Sequence, residues 1–365
     1  MKILIVAEFF EKGGTVNFLK KLLKINNELG IESSLLMEQH LKNNEIEEIC
    51  ERYKFTVNYY KTRKKIFYIP YLSIIYDSFI YYMHIYRNKY DILFISNSSP
   101  WMYITYLFLG NKVIYFCHSY PDQYLSSFYK YMYIIPRVIK NRNRVISVSK
   151  YGRHQLVKYI GFKKEKVEVI YNSYLNEIDN ILPNSQNEKI ILTLGRLTYI
   201  KNPDIWLKVV NKVSKIEPNI KFVWVGADIN QMVNMCKKID ELKLNQFAKI
   251  VEYINDPVSY YSKSYIYFQP SLIESHGIAV IDAMASGLPC VVSNVGGLRE
   301  SIINNKTGFL IEPSNVNGFV EKIVLLLNDV ELSKRLGLSG KRFAHEIFSE
   351  NIQKYKFLTL YNKLV

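Results

Sequence analysis

FQPSLIESHGIAVIDAMASGLPCVVSNVGGLRE, residues 268–300, holds a strand end, an acidic loop, a glycine and a helix start in a single window. The apolar run YIYF at 265–268 reads as a strand that stops at Pro270. Glu274 and Gly277 follow, then a helical run carrying Asp282 that ends at Gly287 and Pro289. A helix that begins beside a glycine presents unpaired N–H groups and a partial positive charge, which suits a phosphate. Ionised carboxylates only accept hydrogen bonds, so Glu274 and Asp282 suit hydroxyls instead. Phosphate donors next to hydroxyl acceptors describe a sugar-nucleotide site. An ordinary βα unit with a polar turn would show the same order of elements but would not need both carboxylates.

Outward from this window the chain alternates apolar strands with helical stretches. It opens with KILIVAEFF, a buried parallel strand by composition, then a turn with Gly13 and Gly14, then VNFLKKLLKINNEL with helical spacing up to Gly30. IESSLLM, DILFIS (91–96), KVIYFC (112–117), RVISVS (144–149) and KVEVIY (166–171) read as further strands. LNEIDNILPNSQNEK (175–189) is polar and reads as a linker. A second βα series then starts with KIILTLG (189–195), a helix through DIWLKVVNKVSKI and the strand IKFVWVG (220–226). KIVEYI, SYIYFQ, PCVVSN and GFLIEP continue it as strands, and the stretch from Ser349 reads as a last helix. The pattern predicts an α/β chain of two Rossmann-like halves. The glycine pair at 13–14 is not the GxGxxG dinucleotide fingerprint. Adjacent glycines do let backbone N–H groups approach an anion.

Gly195-Arg196-Leu197 and Lys201-Asn202-Pro203 lie just past the first strand of the second half, where open parallel sheets bind ligands. Arginine grips phosphate oxygens as a fork and lysine adds a point charge. Two solvated loop cations are the plainer reading. No two aspartates stand two residues apart, so an Asp-x-Asp metal pair is missing. Arg196, Lys201 and a helix N-terminus can neutralise a diphosphate between them, and no catalytic metal is expected.

The window resembles the donor-site signature of retaining GT-B glycosyltransferases of family GT4 (glycosyltransferase group 1). That signature is Glu, seven residues, Glu, with a glycine three after the first Glu and an Ala-x-Ala-x-Gly-x-Pro run behind. Glu274, Gly277, Ala283, Ala285, Gly287, Pro289, Gly296, Gly297 and Glu300 fit it. Asp282 stands where the second Glu is usual, and His276 where an aromatic or small residue is common. Being one methylene shorter, Asp282 needs a closer backbone or a water to reach a ribose. The resemblance implies a GT-B fold, two Rossmann-like domains facing across a cleft, with domains at 1–175 and 176–348 and helix 349–365 crossing back to the first. It also implies transfer of a sugar from a nucleoside diphosphate donor, UDP favoured, to a hydroxyl with retention. Arg196 and Lys201 would bind the diphosphate, Glu274 the sugar and Asp282 the ribose. His276, Gly277 and Ile278 would border the donor, as would Gly13 and Gly14. His118, at the end of KVIYFC, would sit close to the transferred sugar. Tyr253 and Ile254 would lie near the base, with Asn255 where a Gly is frequent. Asn172 in VIYNS would fix a hinge or touch the ligand. Glu274, His118, Arg196 and Lys201 are thus the expected catalytic set. A sugar-nucleotide epimerase on the same scaffold, or a basic scaffold with a degenerate donor site, would share parts of this pattern.

Composition bounds the rest. The 365 residues suit two domains, and 48% are apolar. Cys50, Cys117, Cys236 and Cys290 are scattered with no CxxC, as in a reducing cytosol. Met1–Ala7 runs into Glu8 with no small-residue cleavage site, and the apolar region 92–117 is broken by Ser96–Pro100 and Gly110–Lys112. Of the net charge of +15, nearly all lies between Arg52 and Lys158, where 17 Lys/Arg meet three aspartates and 19 of the 30 tyrosines gather. Cationic residues with tyrosines suit an anionic membrane surface and a lipid-linked glycan acceptor. A solvated basic face over a tyrosine-rich core would look alike. No motif for binding nucleic acid accompanies the charge. The expected location is cytoplasmic, peripheral at the inner face of the plasma membrane.

Overall fold

A computed structural model describes residues 1–7, 14–39, 42, 44–60, 83, 85–96, 112–118, 143–180, 189–254 and 256–364. Two compact units emerge: Met1–Ile170 with Lys354–Val365, and Tyr171–Gln353.

The first unit is built on β1 (Lys2–Ala7), α1 (Gly14–Glu28), β2 (Glu32–Glu38), α2 (Asn44–Arg52), β3 (Thr56–Tyr60), β4 (Ile92–Ser96), β5 (Lys112–Cys117), β6 (Arg144–Ser147), α3 (Lys150–Gln155) and β7 (Val167–Val169). Its strands pair in parallel in the order β3-β2-β1-β4-β5-β6-β7. Parallel strands covered on both faces read as unbroken apolar runs, which is why β1 was legible. Ile3, Ile5 and Ala7 join one core with Leu19 and Leu23 of α1, and Leu4 and Val6 join another with Ile85, Leu156 and Ile160. The strand β3 was not anticipated. It is an edge strand whose sequence, TVNYY, mixes polar and aromatic residues.

The second unit continues with β8 (Lys189–Leu194), α4 (Pro203–Val213), β9 (Ile220–Ala227), α5 (Ile229–Glu241), β10 (Ala248–Glu252), α6 (Val258–Lys263), β11 (Ile266–Gln269), α7 (Ile278–Ala285), β12 (Cys290–Ser293), α8 (Leu298–Ser301), β13 (Phe309–Ile311), α9 (Val316–Asn328), α10 (Val330–Phe348) and α11 (Glu350–Asn362). Its parallel order is β10-β9-β8-β11-β12-β13. Ile191 packs into a core with Trp206 of α4 and Phe319 of α9, while its neighbour Leu192 packs on the opposite face with Ile281 of α7 and Ala344 of α10.

Tyr174 and Ile178 are already part of the second unit's core, so the chain enters that unit before most of the polar run 175–189. Residues 171–176 and 348–353 are stitched together. Ser173 Oγ donates to Gln353 Oε1 at 3.0 Å, Gln353 Nε2 to Tyr171 O at 2.9 Å, and Tyr174 N to Phe348 O at 3.1 Å. From Lys354 onward α11 belongs to the first unit, where Phe357, Leu360 and Tyr361 fill the core beside Phe18 and Phe116. Among the described residues no helix is long and apolar enough to cross a membrane. Most of the basic, tyrosine-rich stretch 52–158, with Arg63, Lys64 and Lys65, lies outside the described residues, as do Gly13 and Asn255.

Candidate functional site

In the second sheet β8 and β11 are neighbours although β9 and β10 separate them in sequence. At such a switch point the loops leave in opposite directions, and a crevice opens beyond the strand ends. The Gly195–Arg196 turn and the 270–277 loop are the two loops that leave here. Gly195, at φ +147°, donates its N–H to Val225 O at 2.9 Å and accepts from Trp224 Nε1 at 2.9 Å. Gly226 lies so close that a Cβ on it would stand 2.8 Å from Gly195 O. The turn therefore rests on bare backbone, with Arg196 exposed at its tip. A short 3₁₀ turn, Tyr199–Lys201, brings Lys201 back, and Asn202 (φ +60°) then starts α4 with Pro203 at its first position.

Leu272 N donates to Ile200 O at 2.8 Å, which joins the two loops. Lys201 Nζ pairs with Glu274 Oε2, both side chains being less than a fifth exposed. The Glu274 carboxylate also accepts from Gln269 Nε2 at 2.9 Å. Gly277, at φ +84°, caps α7, whose first-turn amides open beside this pair. Gly297 N donates to Glu274 O at 2.9 Å, and a Cβ there would lie 2.1 Å from Ser275 O. The sequence-predicted Arg196, Lys201, Glu274, Gly277 and Ile278 thus sit on the two loops and the helix start at one switch point.

Asp282, one turn further along α7, is 4% exposed, and its Oδ1 accepts the Leu175 N–H at 2.9 Å. Burial, and then the charge of Asp282, push the Tyr261 hydroxyl well above its ordinary pKa, so it remains a donor. His276 is 2% exposed, stacks on Tyr171 at 5.2 Å and 19°, and meets Phe348 at 5.2 Å and 70°. Its ring fills an aromatic slot. Neither ring nitrogen has a hydrogen-bond partner among the described residues, and burial lowers its pKa to about 3. Unfolded histidine titrates near 6.5, so this neutral ring stabilises the fold fully above that pH and progressively less as pH falls toward 3, by up to about 1.4 kcal/mol per unit. His276→Phe should keep the packing and reduce the loss of Tm between pH 7 and pH 5. An identical loss in parent and variant would contradict this.

Asn172 is 6% exposed with Oδ1 unpartnered among the described residues, and the preceding Tyr171 donates its hydroxyl to Glu300 Oε2 at 2.8 Å. Tyr253 lies past β10, 41% exposed, with its N–H on Ala227 O at 3.1 Å, and Ile254 packs partly into the core. In the first unit His118 follows β5, and its Nε2 lies 3.0 Å from Ser96 Oγ at the end of β4. Phe18 and Phe116 flank the ring at 4.7 and 4.6 Å, and its burial lowers the pKa to about 3. Gly14 opens α1. Sequence reasoning missed Tyr171, Tyr267, Gln269 and Ser271. The signal available was the polar residue Gln269 closing an otherwise apolar strand. Among the described residues no three His, Cys, Asp or Glu side chains gather as a metal-holding group.

Two all-parallel sheets, each reversing direction beside its first strand, with a cation–carboxylate pair at a helix start in the second, define an α/β protein of GT-B fold. Residues 12–174 match the model of Glycosyltransferase Family 4 and residues 176–343 that of Glycosyl transferases group 1. The chain belongs to this glycosyltransferase family. It is 25% identical over 260 residues to the capsular polysaccharide biosynthesis glycosyltransferase CapM of Staphylococcus aureus, covering 70% of this chain and 64% of CapM. The chain spans about 54–64% of the length of the first curated relatives it matches. A glycosyltransferase structure from Rickettsia africae superposes with a TM-score of 0.83 at 21% identity, covering 100% of this chain and 98% of that one. Anabaena HepE, solved with UDP and glucose, superposes at 0.81 with 16% identity and full coverage of both chains.

Proposed function

We propose that the chain transfers a sugar from a nucleoside diphosphate sugar, UDP-linked in the first instance, to a hydroxyl of a glycan acceptor in surface polysaccharide synthesis, with retention. The observation that carries this is the Lys201–Glu274 pair on two converging loops beside the α7 N-terminus, a cation next to a carboxylate that supports adjacent phosphate and sugar-hydroxyl roles. The relationship to a capsular polysaccharide enzyme and the fold shared with UDP-bound HepE support it. Arg196, Lys201 and the first-turn amides of α7 take the charge of the departing diphosphate. Glu274 holds sugar hydroxyls. Asp282, with Oδ1 committed to the Leu175 amide, meets the ribose through a bridging water. Tyr253 and Ile254 border the base and Asn172 fixes the 171–176 segment; for the glycine pair, with Gly13 outside the described residues, the donor-phosphate role is what the family resemblance implies. His118, neutral at working pH, is too weak a base to take the acceptor proton, and contact with the transferred sugar is the role that the family resemblance implies for it. The acceptor oxygen bonds to the anomeric carbon on the face that the phosphate oxygen leaves, and the leaving phosphate takes the hydroxyl proton. With these cations neutralising the diphosphate, a divalent ion has no part in the step.

A panel of UDP-, GDP- and ADP-sugars, run with EDTA, tests the reading by thermal shift and by slow donor hydrolysis. One donor class should raise Tm by several degrees and be hydrolysed. No stabilisation by any of them would overturn the assignment, and an isomerised donor would turn it toward an epimerase. The charge of residues 52–158 supports a lipid-linked acceptor at an anionic membrane. Salt-sensitive sedimentation with anionic liposomes, weakened by neutralising Arg63, Lys64 and Lys65, is the expected result, and absence of binding at low salt would remove that part.

A further inference from the structure

The carboxylate assigned to the donor sugar is held by a buried chain of hydrogen bonds. Gln269 closes β11 and is 1% exposed, between Tyr267 at 0% and Ser271 at 0%. The Tyr267 hydroxyl donates to Gln269 Oε1 at 2.6 Å and also lies 3.2 Å from Leu194 O. Gln269 Nε2 spends its two protons on Ser271 Oγ at 3.0 Å and Glu274 Oε2 at 2.9 Å. Turning the amide over would set Oε1 against a carboxylate oxygen, acceptor on acceptor, and face Nε2 toward a phenol proton. Only this orientation satisfies both ends while Glu274 is paired with Lys201.

We propose that Gln269 is a positioning residue for the donor sugar, keeping Glu274 aimed while Lys201 engages the diphosphate. The inference rests on the reading of Glu274 and Lys201 given above. Both Lys201 and Gln269 meet the same oxygen, Oε2. When the lysine turns to a diphosphate, the buried amide keeps the carboxylate in place. A hydrogen bond from a buried group to a charged one corresponds to roughly 10- to 100-fold in rate if it matters only with sugar bound. Tyr267 and Ser271 then serve to fix the turn of the amide, so the chain runs from the strand end into the crevice.

Three variants test this with UDP and UDP-glucose, or with the sugar nucleotide that stabilises the chain in the panel above. Gln269→Met keeps length and apolar volume and loses every hydrogen bond. Its expected effect is a kcat lowered roughly 10- to 100-fold with the Kd for UDP unchanged. Gln269→Glu sets two carboxylates side by side. Protonated, the new group still donates to Glu274; ionised, it repels it. The ratio of variant to parent rates should therefore fall as pH rises from 5 to 8, which a purely structural role would not produce. Tyr267→Phe removes only the locking hydroxyl and should give a smaller loss of kcat of the same kind. It carries the test if Gln269→Met does not fold. A Gln269→Met enzyme with the parent's kcat, or a pH-independent ratio for Gln269→Glu, overturns the proposal while an inactive Glu274→Ala leaves the donor-site reading standing. A fully active Glu274→Ala would remove both.

Discussion

Glu274→Ala is expected to lower kcat by roughly 10²- to 10³-fold while UDP still binds. On the proposed assignment the carboxylate meets the sugar and not the nucleotide, so its removal should leave nucleotide affinity intact. In this structure it also neutralises Lys201 across a mostly buried contact. Truncating one partner of such a pair leaves the other cation unpaired, and a diphosphate is the natural replacement. UDP should thus bind the variant at least as tightly as the parent, with the two effects in opposite directions. Isothermal titration with UDP and steady-state kinetics with the donor separate them. A raised KM with kcat intact would mean that Glu274 binds ground state and transition state alike, and the assignment to the reacting sugar would be wrong.

Gly297→Ala should do comparable damage through geometry alone. Gly297 does not adopt a positive φ, so backbone strain is not the reason. The added methyl would stand 2.1 Å from Ser275 O and 2.8 Å from His276 Cα, both backbone atoms that cannot rotate away. The loop carrying Glu274 must shift, breaking the Gly297 N–H contact to Glu274 O. About 3 kcal/mol of stability and most of the activity should be lost. Gly30→Ala is the control: at φ +65° with nothing within 4 Å of the new Cβ, it carries only the left-handed penalty of about 1 kcal/mol. Equal Tm values for the two variants would refute the steric argument.

The sheets were legible in the sequence because strands buried on both faces write themselves as apolar runs, KVIYFC and IKFVWVG among them. The edge strand TVNYY was not, since it pairs on one side only, Thr56 to Tyr59 stay exposed or partly exposed, and its composition follows. Arg196, Lys201 and Glu274 could be picked out because loops after parallel strands converge by topology. The partners of the other site residues could not. Asp282 finds the amide of Leu175 across 107 residues, and Tyr171 finds Glu300 across 129. His276 looked like a departure from an aromatic position, yet its ring stacks on Tyr171, meets Phe348 edge-on and behaves as an aromatic. Gln269 carried a signal, a polar residue ending an apolar strand, but its orientation depends on a tyrosine and a carboxylate that only the folded backbone brings together.

The last turns of α11 have a consequence for how the chain comes into being. Phe357, Leu360, Tyr361 and Leu364 belong to the core of the unit that begins at Met1. During synthesis, therefore, the surface formed by Phe18, Phe94 and Phe116 stays uncovered while the entire second unit is being made. An early-folding domain normally leaves the ribosome finished. Here the first unit waits for the second, and an aromatic face stays open to a chaperone or to a neighbouring chain until the helix arrives.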